Sequence, residues 1–215
     1  MASLPDTIAA AETEVRAIIR EPTAQFWSSA QIQNFIKEGC VDLCAKTLCY
    51  KKVDSSTRIY DDVVWYAELS KTIKVLACAF YDSQASPVSY RGLVKIHPRM
   101  VGYLPANDDA DPEYWYHFGD RVGIHPVPDS MNASDRLVIY YALTSETITD
   151  LPERYQPLVI NYAAAMCFLK RRMNQAAVSM YTIYLNDVKF ARNDLERMEV
   201  DNLNMFQIPS RTVKK

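Results

Sequence analysis

The sequence predicts an α+β fold: a helical bundle of about four helices, including a long C-terminal αα-hairpin, with a β-rich insertion between the second and third helices. Three observations predict it. Apolar residues recur at helical spacing at both ends of the chain, while Lys52 to Thr144 changes to short runs of β-branched and aromatic residues broken by Pro, Asn, Asp and Gly. Near the C-terminus, Ala177, Tyr181, Tyr184, Val188, Ala191, Leu195 and Met198 alternate steps of four and three, the spacing of a helix seam packed on another helix.

The first helix is expected over about 6–20, following Asp6 or Thr7, with Ile8, Ala11, Val15 and Ile18 on one face and Pro22 ending it. The second is expected over about 29–48. Ser28 and Gln31 have the spacing of a capping box, Trp27 and Ile32 that of a hydrophobic staple, and Ile32, Phe35, Ile36, Cys40 and Leu43 form the apolar stripe. In the insertion, about 52–144, strands are expected at Thr72–Tyr81, Tyr114–Phe118, Val122–His125 and Arg136–Leu143, with a hairpin turn at Gly119–Asp120. Pro87, Gly92, Pro98 and Gly102 make Ser83 to Pro105 a long excursion with short extended pieces. The third helix, about 152–172, is expected to start from Asp150 as N-cap, with Pro152 in its first turn and Leu158, Tyr162 and Met166 recurring every four residues. Asn174 is placed to cap the fourth, about 175–199, directly after Lys170-Arg171-Arg172. The whole reads as a single domain over 1–200 followed by a C-terminal extension, 201–215.

Composition narrows the function. The 215 residues are 49% apolar and 23% charged, ordinary for a folded chain, with a formal charge of −2 that speaks against a broad basic nucleic-acid face. Only 5 glycines occur, and no GxGxxG, GxxxxGK[ST] or GxSxG motif, so the common nucleotide and hydrolase signatures are missing. The N-terminus lacks a secretory pattern and no apolar run has the length of a membrane span, so no membrane partner is expected. Five cysteines suit no disulfide framework. Cys40 and Cys44 would stack one helical turn apart while Cys49 falls away, and His97, His117 and His125 lie in a distant segment, so buried thiols are favoured over zinc. Asp61–Asp62 and Asp108–Asp109–Asp111 read as solvated turns, since no EF-hand glycine or terminal glutamate accompanies them. No cofactor, metal site or catalytic residue is expected, and the chain reads as no enzyme.

Two features point to partners. Lys170, Arg171 and Arg172 are the densest positive charge, suited to a helix C-terminus or to contact with phosphates or an acidic partner. The heptad seam (Ala177, Tyr181, Tyr184, Val188, Ala191, Leu195, Met198) suits either the hairpin's own packing or a neighbouring subunit. The aromatic run Tyr114-Trp115-Tyr116-His117-Phe118 has acidic neighbours, which favours a sheet core or an interface over base stacking.

The succession W-S-S-x-x-I…F-I-K-E-G…D-L, a strand ending A-F-Y-D, then E-Y-W-Y-H-F-G-D-R-V-G-I-H-P-V-P, L-V-I-Y-Y-A-L and L-P-E-R-Y-Q-P-L-V-I-N-Y-A-A-A, over about residues 26–200, resembles the head-to-tail adaptor, or head-completion, proteins of tailed bacteriophages. The resemblance implies a structural virion protein of the phage neck, present in the host cytoplasm during assembly. It implies a homo-oligomeric ring, commonly of twelve copies, that binds the portal protein, extends the channel through which double-stranded DNA passes, and docks a downstream tail protein. It also implies a portal-binding role for the terminal extension, through Leu203, Met205, Phe206, Ile208, Arg211, Lys214 and Lys215. The larger segment Ser83 to Asn107 departs from the common pattern. The competing reading is a non-viral helical scaffold or regulator that pairs through the heptad seam as a dimer.

Overall fold

The structure is a computed structural model and describes residues 7–83, 89–104, 111–128 and 134–205, with side chains of the last helix described to residue 197. It is the mixed architecture expected. The chain divides into two compact units, Met1–Tyr50 with Ser145–Lys215, and Lys51–Thr144.

The first unit is helical. Helix α1 (Ile8–Ile19) starts at Thr7, whose hydroxyl accepts from the Ala10 amide, and ends with Arg20 in the left-handed region, two residues before Pro22. Its inward face corrects the expected one: Ala11, Val15 and Ile19 are buried, while Ile18 is 36% exposed. Steps of four from Ala11 hold the stripe on the second and third helices, and Ile18 falls about 100° off it. Helix α2 (Ser29–Thr47) has the capping box read from Ser28 and Gln31, and Ile32, Phe35, Ile36, Cys40 and Leu43 are all buried.

Helix α3 (Gln156–Lys170) begins later than expected. Asp150 does not cap it: its carboxylate accepts from the Ser145 hydroxyl at 2.5 Å, and two 3-10 turns, Ile148–Asp150 and Glu153–Tyr155, precede the helix. With that side chain engaged, Gln156-Pro157 opens α3, Pro157 standing in the first turn where its missing N–H costs nothing. Leu158 is buried, but Tyr162 and Met166 are only half-buried; Val159, Ala163, Ala164 and Cys167 fill the core instead. Small alanines let the helices approach closely. A Cβ on Gly39 of α2 would stand 2.9 Å from the Tyr162 ring and 3.2 Å from Val159.

Helix α4 (Asn174–Met205) follows a tight turn in which Arg172 takes the left-handed conformation (φ 61°). Asn174 is its first helical residue and not its cap. The Ala177 amide bonds the Met173 carbonyl, which puts the cap position at Met173. The helix also runs past the expected end at 199, through Met205, although the heptad stops near Met198. Hydrogen bonding of the backbone continues there without an apolar repeat.

The second unit is two four-stranded sheets. One has the order β1-β8-β3-β4, from Lys51–Asp54, Arg136–Leu143, Thr72–Asp82 and Ser89–Gly92, all antiparallel. The other has the order β2-β7-β6-β5, from Trp65–Ala67, Arg121–His125, Tyr114–Phe118 and Val94–Lys95, with only β5–β6 parallel. The hairpin β6–β7 turns at Gly119–Asp120 as read, Gly119 having φ 65°. Four strands lie outside the expected ones: β1, β2, β4 and β5, each of four residues or fewer. The excursion from Ser83 does contain short extended pieces, plus a 3-10 helix at Pro98–Tyr103. Trp115 and Tyr116 are buried and belong to the sheet core, whereas Phe118 at the hairpin tip is 68% exposed.

Candidate functional site

All five cysteines are buried thiols. Cys49 does not fall away from its neighbours. After α2 ends, Leu48 turns into the left-handed region, its amide bonding the Cys44 carbonyl at 2.8 Å, and the chain doubles back so that the Cys44 and Cys49 thiols hydrogen-bond. Burial pushes the Cys40 thiol up to about 12, and the Cys49 bond together with burial raises that of Cys44. These thiols stay protonated and unreactive at neutral pH. Among the described residues no three His, Cys, Asp or Glu side chains are grouped as metal ligands. His97 Nδ1 caps a 3-10 turn by accepting from the Arg99 amide, His117 pairs with Glu68, and His125 is buried next to Pro126. Asp61 and Asp62 occupy an exposed turn, while Asp108 and Asp109 lie outside the described residues.

What the helical unit builds is packing surface. In the α4 seam, Ala177, Tyr184, Val188 and Ala191 are buried and Tyr181 and Leu195 half-buried; the Met198 side chain lies outside the described residues. Helices α2 and α3 of the same chain cover that seam. A half-buried polar clamp fixes it. The Tyr184 hydroxyl donates to Asp42 Oδ2 at 2.5 Å, Lys46 Nζ donates to the same oxygen at 2.6 Å, and the Lys46 ammonium lies 5.4 Å from the Tyr184 ring centre and 5.8 Å from that of Tyr181. Burial and the Asp42 bond push the Tyr184 hydroxyl well above the ordinary range, and hydrogen bonding and attraction to Asp42 outweigh burial to raise Lys46. A second tie joins Arg154 and the Tyr155 hydroxyl to Asp194, at 2.7 and 3.2 Å. Sequence reading missed both ties, because Asp42 and Tyr184 stand 142 residues apart.

The basic cluster sits at the tip of the α3–α4 hairpin, with all three side chains exposed. Lys170 Nζ lies 4.6 Å from the Phe35 ring centre and Arg171 Cζ 5.3 Å from that of Phe26, so two of the three cations rest on aromatic faces. Exposed Phe26, Leu169 and Met173 complete a tip that is both cationic and apolar. Beside it a shallow depression is lined by Met173, Asn174, Gln175, Ala176 and Ser179. Of the extension, Leu203 and Met205 fall in the last turn of α4 with side chains outside the described residues, and Phe206, Ile208, Arg211, Lys214 and Lys215 lie outside them altogether.

A helical bundle closed by a long αα-hairpin, with a β-rich insertion between its second and third helices, is the build that the resemblance to head-to-tail adaptors implies. The chain belongs to the SU10 adaptor protein family, whose sequence model matches residues 6–203. No curated protein matches it. Among solved structures it is similar to a chain of the "Neck of empty GTA particle computed with C6 symmetry", at 11% identity over 76% of this chain and 80% of that one, with a TM-score of 0.32.

Proposed function

We propose that this chain is a structural neck protein of a tailed bacteriophage: a ring-forming head-to-tail adaptor that binds the portal, extends the DNA channel and presents a docking surface to a tail protein. The observation that carries the reading is family membership over nearly the whole chain, 6–203. The helical unit supports it, since its clamps and seam make a rigid wall element whose remaining apolar side chains face outward. The seam itself is packed on α2 and α3 of the same chain, which speaks against the dimeric scaffold that pairs through it.

In this reading twelve copies form the ring, the hairpin-tip cations Lys170, Arg171 and Arg172 make one belt of positive charge, and the terminal residues from Leu203 onward contact the portal. Double-stranded DNA passes without sequence-specific binding. The chain is sorted to the virion after assembly in the host cytoplasm; no helix among the described residues is long and apolar enough to cross a membrane. The test is cosedimentation with portal-containing heads. The full chain is expected to join them in ring stoichiometry, and a chain truncated after Asp201 to stay folded but fail to join. Normal incorporation of the truncated chain removes the role assigned to the extension, and failure of the full chain to bind removes the adaptor reading.

A further inference from the structure

Helix α4 carries more apolar surface than its own core uses. Val178 (65% exposed) and Leu185 (41%), seven residues apart, form one column; Ile183 (47%) and Phe190 (72%), also seven apart, form another. The second column is offset from the first by five residues, about 140° around the helix. The wide arc between them holds the buried seam of Ala177, Tyr184, Val188 and Ala191. The narrow arc is exposed and mostly uncharged: Gln175, Ser179, Thr182, Asn186 and Asn193, with Lys189 at its edge and Arg197 at its C-terminal end.

Two columns on separate faces cannot meet one flat partner, but they match what a ring of identical copies requires. With α4 upright, each helix touches its two neighbours on faces separated, on the lumen side, by about 120° for six copies and about 150° for twelve. A two-fold dimer uses a single face against itself. Charge complements the shapes. Lys189 and Arg192 border the first column, Arg192 bonding Glu196 at 2.9 Å, and Asp187 and Asp194 border the second, with Asp194 tied to Arg154.

We propose that neighbouring copies of this chain meet through α4, the Val178–Leu185 column of one against the Ile183–Phe190 column of the next, so that the polar strip between the columns faces the lumen. This rests on the ring reading above and names its contact. The strip suits a conduit: the Ser179 and Thr182 hydroxyls donate to the carbonyls of Gln175 and Val178, at 2.9 and 2.8 Å, so their protons are engaged within the helix. Passing phosphates meet mainly neutral amides and hydroxyls, with Lys189 and Arg197 as the cations of the strip, and bind weakly.

The test uses purified full-length chain and a short bis-maleimide, with Leu185→Cys and Ile183→Cys, two positions on opposite columns at nearly equal height. A mixture of the two single variants is expected to give a covalent heterodimer that neither gives alone. The double variant is expected to give a ladder of multimers, abolished by adding Phe190→Asp, with circular dichroism showing the helices retained. No cross-link at the highest concentration reached overturns the contact. If the wild-type chain still sediments as a ring-sized oligomer, the ring reading survives with a different interface. A dimer cross-linked through Leu185→Cys alone, with no ladder, overturns both.

Discussion

Glu21 offers a sharp test of how the helical unit is held together. Its carboxylate is 6% exposed, and Oε1 accepts from three successive backbone amides, those of Gln25, Phe26 and Trp27, at 3.1, 2.8 and 2.8 Å. It thereby shapes the link that delivers Trp27 to the start of α2, where that ring meets Phe35 edge-on. Burial opposes ionisation, but the three amide bonds and the charge of Arg16 outweigh it and hold the Glu21 carboxyl below its ordinary range. Glu21→Ala leaves amides without an acceptor, one of them fully enclosed, at about 1–3 kcal/mol for each that water does not reach. We expect a loss of about 3 kcal/mol, seen as a fall in melting temperature of about 6–12 °C for a chain of this size. Glu21→Gln keeps an acceptor and should cost about 1 kcal/mol.

The pH dependence separates charge from shape. Because the folded carboxyl ionises more readily than the unfolded one, its stabilisation is fully present above the unfolded value, about 4.3, and disappears as pH falls through the folded value. The advantage of wild type over Glu21→Gln should therefore shrink on acidification, measured by thermal melts followed by circular dichroism. A Glu21→Ala chain melting within about 2 °C of wild type would refute the reasoning, since it would mean that the amides rehydrate freely.

Other consequences are simpler to state. Tyr184→Phe removes the half-buried hydroxyl bond to Asp42 while Lys46 remains, and should lower stability by about 1 kcal/mol in urea titration. Gly123→Ala places a methyl group where the Tyr116 ring stands beside β7, and should cost about 1–3 kcal/mol with a change in near-ultraviolet dichroism as the ring is displaced. The five buried thiols, with Cys40 and Cys167 both pushed up to about 12 chiefly by burial, should resist a colorimetric thiol reagent in the native chain and all react once it is unfolded.

The elements legible in the sequence are those whose signal is local. The Ser28–Gln31 box, the stripe from Ile32 to Leu43 and the strands Tyr114–Phe118 and Arg136–Leu143 each carry their own periodicity or cap within a dozen residues. The misread positions depend on partners elsewhere. Asp150 looked like a cap until Ser145 claimed its carboxylate, and Ile18 looked inward until α2 and α3 selected the Ala11–Val15–Ile19 line. Strands of two to four residues exist only because a longer strand pairs with them, as β6 does with Val94–Lys95, and so leave no pattern to read. The heptad seam was legible as a seam, but whether kin or neighbour covered it was not. That answer needed α2 and α3 in place, and only then did Val178, Leu185, Ile183 and Phe190 stand out as surplus.

The most direct measurement is electron microscopy of portal-containing heads loaded with this chain. The expected result is a closed ring of copies stacked on the portal, their α4 helices side by side around an open channel with Asn186 facing inward. A chain bound as a single copy or a two-fold pair, or a ring whose α4 helices do not touch their neighbours, would contradict it.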